Sequence, residues 1–195
     1  MKIIGLTGGI GSGKTTVAKI FEKFGGKIFN SDLSAKKIQN ENQTAISQIK
    51  ELFGENVYLN GTLNRPQVAE IVFNDSEKLK KLNSIVHPLV FEDFSNFLDE
   101  NSDKKFVILE SAILVESGFD KYTDFSVLIT ADIAERIKRV MERDKIPQEK
   151  ILARIKNQLS ECELKCNCKY EIVNNDFQKV ESQVKTILQQ NNLLF

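Results

Sequence analysis

The chain has 195 residues, and 27 Lys and Arg stand against 27 Asp and Glu, so the formal net charge is zero. That length suits one full domain with a small insertion, and the lack of surplus cations argues against a nucleic-acid binder, which must displace counterions from phosphates. One His excludes a histidine-built zinc site within one chain, three Cys give no even disulfide framework and suggest a reducing compartment, and no apolar run nears the ~20 residues that span a bilayer. The N-terminus lacks the apolar stretch of a secretion signal, so the expected location is cytoplasmic, away from membranes and without an obligate protein partner.

In chain order, residues 2–7 (KIIGLT) form a short apolar run closed by glycines, the pattern of a buried parallel strand before a functional turn. A helix follows with Val17, Ile20, Phe21 and Phe24 on one face, and Gly25-Gly26 ends it. Lys27-Ile28-Phe29 is the second strand. Ser31 is then placed to cap a helix through Leu33, Ala35 and Ile38, and a further helix carries Ile46, Ile49, Leu52 and Phe53 up to Gly54. From about 60 to 100 the pattern predicts helices and little strand. One is entered at Pro66, one carries Leu79, Leu82 and Ile85, and a third follows Pro88 with Val90, Phe91, Phe94, Phe97 and Leu98. Strands return at 106–109 and 125–129. Two charged helices, split near Lys145-Ile146-Pro147, fill 131–159, and Tyr170–Val173 precedes a closing helix through Val180, Val184, Ile187 and Leu188. Strands near 3, 28, 107, 127 and 171 with helices between them predict an α/β fold, a doubly wound five-stranded parallel sheet with a helical insertion.

Gly8-Gly9-Ile10-Gly11-Ser12-Gly13-Lys14-Thr15 satisfies G-x-x-x-x-G-K-[ST] between a strand and a helix. Glycines let the backbone curl so that successive N–H groups meet phosphate oxygens, and the helix adds its positive end. Lys14 is expected to reach the β- and γ-phosphates of ATP, and the Thr15 hydroxyl to ligate Mg²⁺. The Asn-Lys-x-Asp and Asp-x-x-Gly elements of guanine-nucleotide switches are missing. A small-molecule kinase of the P-loop type fits better. Residues 135–156 hold eight cations against four carboxylates, with Arg136, Arg139 and Arg143 on one helical face. They are read as a lid whose guanidinium groups suit phosphoryl oxygens, against the plainer reading of a solvated helix. Asp32, just past the second strand, is the candidate to orient an acceptor hydroxyl and take its proton. Its plainer role is a helix-start residue. Glu110 ends the third strand and is a candidate for Mg²⁺ or its water shell.

Together these residues resemble the dephospho-CoA kinase family. The likeness runs from Leu6–Thr16 through Asp32, Leu63-Asn64-Arg65, Val72-Phe73-Asn74-Asp75 and Leu82–Pro88 to Glu110–Glu116, Arg136–Arg143, Arg154/Gln158 and Tyr170–Asn175. The chain departs from the family pattern at Asn30 and Asn64, where Asp is usual, and at Glu110 and Ala112. The resemblance implies transfer of the γ-phosphoryl group of ATP to the 3′-hydroxyl of dephospho-CoA, with another P-loop small-metabolite or nucleoside monophosphate kinase as the alternative. It implies a nucleotide-binding core of 1–59, 102–131 and 160–195, an acceptor-binding helical region of 60–101 and a lid of 132–159. Gly8, Gly9, Gly11, Ser12, Gly13, Lys14, Thr15 and Thr16 would hold ATP, and Thr15 the Mg²⁺. Thr7, Asp32, Arg65, His87 and Glu116 would meet the acceptor, and Asp32, Lys14, Arg139 and Arg143 would carry the chemistry. His87 also has a purely local reading, before Pro88. Cys162, Cys166 and Cys168 form a cluster that metal binding, redox sensitivity or plain packing would each explain.

Overall fold

The structure is a computed structural model and describes residues 1–73 and 75–194. In chain order it contains β1 (Lys2–Thr7), α1 (Lys14–Lys23), β2 (Lys27–Asn30), α2 (Ser31–Glu41), α3 (Gln43–Phe53), β3 (Tyr58–Leu59), β4 (Thr62–Leu63), α4 (Arg65–Phe73) and α5 (Ser76–Glu100). There follow β5 (Phe106–Glu110), β6 (Phe125–Thr130), α6 (Ile133–Asp144), α7 (Gln148–Lys156), α8 (Glu161–Asn167), β7 (Tyr170–Val173) and α9 (Phe177–Gln190). No helix among the described residues is long and apolar enough to cross a membrane.

The chain forms two compact units, Met1–Asn30 with Asn101–Phe195, and Ser31–Glu100. In the first, five parallel strands run in the order β2-β5-β1-β6-β7. All five expected strands are present. Alternate side chains Ile4, Leu6, Phe106, Ile108, Val127, Ile129 and Ile172 leave one face and meet Val17, Ile20 and Phe21 of α1 and Val180, Val184 and Leu188 of α9. Phe21 and Phe106 pack edge to face, their ring centroids 6.5 Å apart. Full burial of each such side chain contributes roughly 1.5–3 kcal/mol, so this face is the main support of the loop that leaves β1. Gly26, just before β2, packs against β5: a Cβ there would fall 2.4 Å from the Phe106 ring.

Chain connections set the position of the site. From β1 the chain crosses to β2 on one side of the sheet, and from β6 to β7 on the other. In open sheets the crevice outside the carboxyl ends at such a divergence takes the ligand. Thr7, Asn30, Glu110 and Thr130 end their strands at this edge, with Asn30 and Leu6 each in register with Glu110.

The second unit differs from the expected one in extent and content. It takes in residues 31–59, because α2 and α3 both pack on α5. It also contains a small antiparallel hairpin, β3–β4, at the start of a stretch where helices and little strand were expected. Its turn is Asn60-Gly61, both at positive φ (50° and 78°), the backbone that a two-residue hairpin needs and that Asn-Gly supplies. The two helices expected on either side of Pro88 are one, the 25-residue α5. Pro inside a helix costs about 3 kcal/mol. Here Leu82, Val86, Val90 and Phe94, all buried, recur every four residues straight through Pro88, and breaking the helix would expose half of that stripe.

Candidate active site

The P-loop begins where β1 ends. Gly8 (φ 152°) lies so close to β6 that a Cβ would fall 2.3 Å from the Ile129 carbonyl oxygen. Lys14 Nζ donates to the Gly8 carbonyl at 2.8 Å, which folds the ammonium back over the loop. Ser12 N–H closes a tight turn on Gly9 O at 3.1 Å. Thr7 and Ser12 are buried, and neither hydroxyl has a protein partner among the described residues. Thr16, in the first turn of α1, is exposed. Thr15 Oγ1 donates to Glu110 Oε1 at 2.5 Å, which brings a hydroxyl and a buried carboxylate together at the strand ends.

The three arginines of α6 have different partners. Arg136 lies on the loop: its Nε donates to Ile10 O at 2.9 Å, and burial pulls its pKa down against the opposing pull of Glu161. Arg139 Nη2 donates to Asn174 O at 2.9 Å, while its buried Nη1 has no protein partner among the described residues and lies 3.8 Å from where a Gly13 Cβ would stand. Arg143 is exposed and grips Asp144 through Nε (2.7 Å) and Nη2 (3.2 Å). Arg154 of α7 meets the same carboxylate at 3.4 Å, so the Asp144–Arg154 pair links the two expected lid helices, while Arg143 is held by its own neighbour within α6. Both arginines hold the Asp144 carboxyl below its ordinary range.

In the second unit, Asp32 stands in the first turn of α2, two residues beyond the end of β2. Arg65 opens α4 and donates from Nη2 to Lys36 O at 3.3 Å, so it is tied to the helix that begins beside Asp32. Burial lowers the pKa of Arg65 and raises that of its neighbour Tyr58, whose hydroxyl donates to Gln39 O at 2.7 Å. His87 is half-buried within α5, and burial lowers its pKa. A hollow of about 710 Å³ between α3 and α5 is lined by Gln48, Leu52, Ile85 and Pro88 but not by Asp32, Arg65 or His87. Glu116, in the first unit, is exposed in the turn after β5.

The His87 shift has a consequence for stability. A His whose folded pKa is depressed binds its proton more readily in the unfolded chain, so unfolding takes up protons as the pH falls. Stability conferred by neutral His87 is present above the ordinary value of 6.5 and is lost as the pH drops below it. Asp144 and Asp124, with carboxyls held below 3.8, give up their contributions only in a separate, more acidic window. The expected result is a decline in thermal midpoint between about pH 7 and pH 5 that flattens in His87→Gln. An equal decline in both proteins would assign it to other groups.

The family model for dephospho-CoA kinase matches residues 2–181. A dephospho-CoA kinase from Fusobacterium nucleatum is 39% identical over 191 residues, 95% of this chain and 98% of that protein. The chain belongs to the dephospho-CoA kinase family. Among solved structures, a protein from Thermus thermophilus is 33% identical with a TM-score of 0.87, each chain covered to 97%. The dephospho-CoA kinase from Campylobacter jejuni is 25% identical with a TM-score of 0.68, covering 97% of this chain and 96% of that one.

Two departures from the family's pattern have a structural account. Asn64 accepts Gln67 N–H on Oδ1 at 3.4 Å and donates to Gln67 Oε1 at 3.1 Å at the entry to α4. Asn and Asp are nearly equal at such a cap. Glu110 keeps its carboxylate on Thr15 despite its extra methylene. Asn74, within the matching Val72–Asp75 segment, lies outside the described residues.

Residue-by-residue reading missed the task of Arg136, Gln158 and Asn174. Gln158 Oε1 accepts the Ile10 N–H at 2.8 Å, and Asn174 Nδ2 donates to Ser12 O at 2.8 Å. No local periodicity announces such contacts, which span more than a hundred residues of sequence. The short helix α8 was missed too, although Ser160 and Glu163 spell the capping box that starts it. It carries the free thiols of Cys162 and Cys166, both exposed. Cys168 follows, its thiol pushed up to about 11 by burial and by Asp120. Among the described residues no group of three or more His, Cys, Asp or Glu is placed to hold a metal ion.

Proposed function

We propose that this member of the dephospho-CoA kinase family transfers the γ-phosphoryl group of ATP to the 3′-hydroxyl of dephospho-CoA, giving CoA and ADP, the last step of CoA biosynthesis. What carries the reading is a P-loop with inward-folded Lys14 and paired Thr15–Glu110 inside a chain that matches the family over residues 2–181.

Gly8, Gly9, Gly11, Ser12, Gly13, Lys14, Thr15 and Thr16 hold the triphosphate through backbone N–H groups, the start of α1 and the Lys14 ammonium. Thr15 Oγ1 and the Glu110 carboxylate are hard oxygen donors 2.5 Å apart, and such a set fits Mg²⁺ in a site completed by water and phosphate oxygens. Held by Thr15 and Glu110, such an ion would supply positive charge to the triphosphate. Asp32 orients the acceptor hydroxyl and takes its proton. Arg65, His87, Glu116 and Thr7 hold the acceptor. Arg139, whose Nη1 lies beside Gly13, stabilises charge on the transferring group, with Arg143 on the same helix as a second guanidinium for it, next to the Asp144 carboxylate through which Arg154 ties α7 to α6. Excluding water over the loop favours transfer to the acceptor over hydrolysis.

The test is ATP-dependent phosphorylation of dephospho-CoA with the phosphate located on the product. The expected product is 3′-phosphorylated CoA, with AMP and shikimate far poorer acceptors. Turnover of either of those without any on dephospho-CoA would shift the assignment to another small-molecule kinase.

A further inference from the structure

Alternate carbonyls of the P-loop are each held by a side-chain donor. Lys14 Nζ takes Gly8 O at 2.8 Å, Arg136 Nε takes Ile10 O at 2.9 Å, and Asn174 Nδ2 takes Ser12 O at 2.8 Å. Among the described residues every peptide bond is trans, and in a planar trans peptide the following N–H points opposite to the C=O. The N–H groups of Gly9, Gly11 and Gly13 are therefore turned away from these donors. Among the described residues, none of the three donates to a protein acceptor. Ile10 is gripped on both sides, because its own N–H goes to Gln158 at 2.8 Å.

The motif's glycines fit this arrangement as closely as they fit a phosphate. A Cβ at Gly9 would fall 2.0 Å from Arg136 Nη2, one at Gly11 would fall 2.4 Å from Arg136 O, and one at Gly13 would fall 2.2 Å from Asn174 Nδ2. Arg136 and Asn174 thus occupy the space that those side chains would fill, on the side of the loop opposite the free N–H groups.

We propose that Arg136 and Asn174 are positioning residues for ATP, which hold the Ile10 and Ser12 carbonyls and thereby aim the Gly11 and Gly13 N–H groups at phosphate. This rests on the reading of the loop as an ATP site. It gives Arg136 the task of an N–H donor to the loop, in place of the charge on the transferring group that its sequence position suggested.

Arg136→Gln separates the two tasks, because the Gln amide nitrogen follows Cδ as Nε does in Arg but carries no charge. Arg136→Met keeps the length and removes the donor. The expected ADP dissociation constant and ATP KM stay within about twofold of the parent in Arg136→Gln, and rise about tenfold in Arg136→Met, as loss of a hydrogen bond to a part-buried carbonyl implies. In Arg136→Met, kcat changes less than the ATP KM, and the dephospho-CoA KM does not move. Asn174→Asp keeps the size and removes the donor to Ser12 O, and it weakens ADP by about tenfold or more. If that buried variant does not fold, the half-buried member of the pair, Arg136, still decides. Arg136→Gln as weak as Arg136→Met would show that charge is what counts, and Arg136→Met equal to the parent would show an idle contact. Either result overturns the proposal. ADP binding requires no acceptor, so failure to phosphorylate dephospho-CoA would defeat the functional reading and leave this measurement standing.

Discussion

Asp32→Asn lowers kcat for dephospho-CoA phosphorylation by about 10²–10⁴-fold, the range that a positioned general base supplies, while ADP binds as in the parent. The substitution preserves shape and hydrogen-bonding capacity but leaves no group able to take a proton. It also separates the two roles open to Asp32. The residue stands in the first turn of α2, where the positive end of the helix favours a carboxylate by typically 0.3–1 kcal/mol. A helix-start role would therefore show as a small drop in thermal midpoint with turnover nearly intact. A base role shows as the reverse, a large loss of kcat at nearly unchanged stability. Asn30, at the end of β2, offers no second carboxylate that could substitute. Near-parent kcat in the folded variant would remove Asp32 from the chemistry.

The sheet was legible because each strand is a short apolar run between turn residues, and the P-loop because its spacing is itself the mechanism. The hairpin at Tyr58–Leu63 was legible in principle: Asn60-Gly61 announces it, but strands of two residues leave no alternation to read. Pro88 was over-read as a break, since the local cost of a proline is visible in sequence while the stripe Leu82-Val86-Val90-Phe94 outweighs it only through packing. The arginines of α6 show the limit most clearly. Periodicity places Arg136, Arg139 and Arg143 on one face with equal claims on a phosphate. Their partners differ: the Ile10 carbonyl, the Asn174 carbonyl and the Asp144 carboxylate. Only the fold brings the Ile10 and Asn174 carbonyls near, whereas Asp144 is the next residue along the chain from Arg143.

Lys14→Met lowers kcat/KM for ATP by about 10²–10³-fold, the scale of losing one preorganised group that meets developing charge. Met matches the length of the Lys stem and removes only the ammonium, so the buried face of α1, with Val17, Ile20 and Phe21, is undisturbed and the thermal midpoint should stay near the parent value. Lys14→Arg is the sharper control. The ammonium is compact enough to fold back to within 2.8 Å of Gly8 O, in a loop where added Cβ atoms at Gly9, Gly11 and Gly13 would already lie within 2.0–2.4 Å of Arg136 or Asn174. A planar guanidinium keeps the charge but needs more room and a different approach. Lys14→Arg is therefore expected to recover little of the lost activity, and full recovery would mean that charge alone suffices and that the tight geometry of the loop does not discriminate. Direct ADP binding separates the parts of the effect. A loss confined to kcat places the ammonium on the transferring γ-phosphoryl group, whereas an equal loss in ADP affinity places it on the β-phosphate that both nucleotides share.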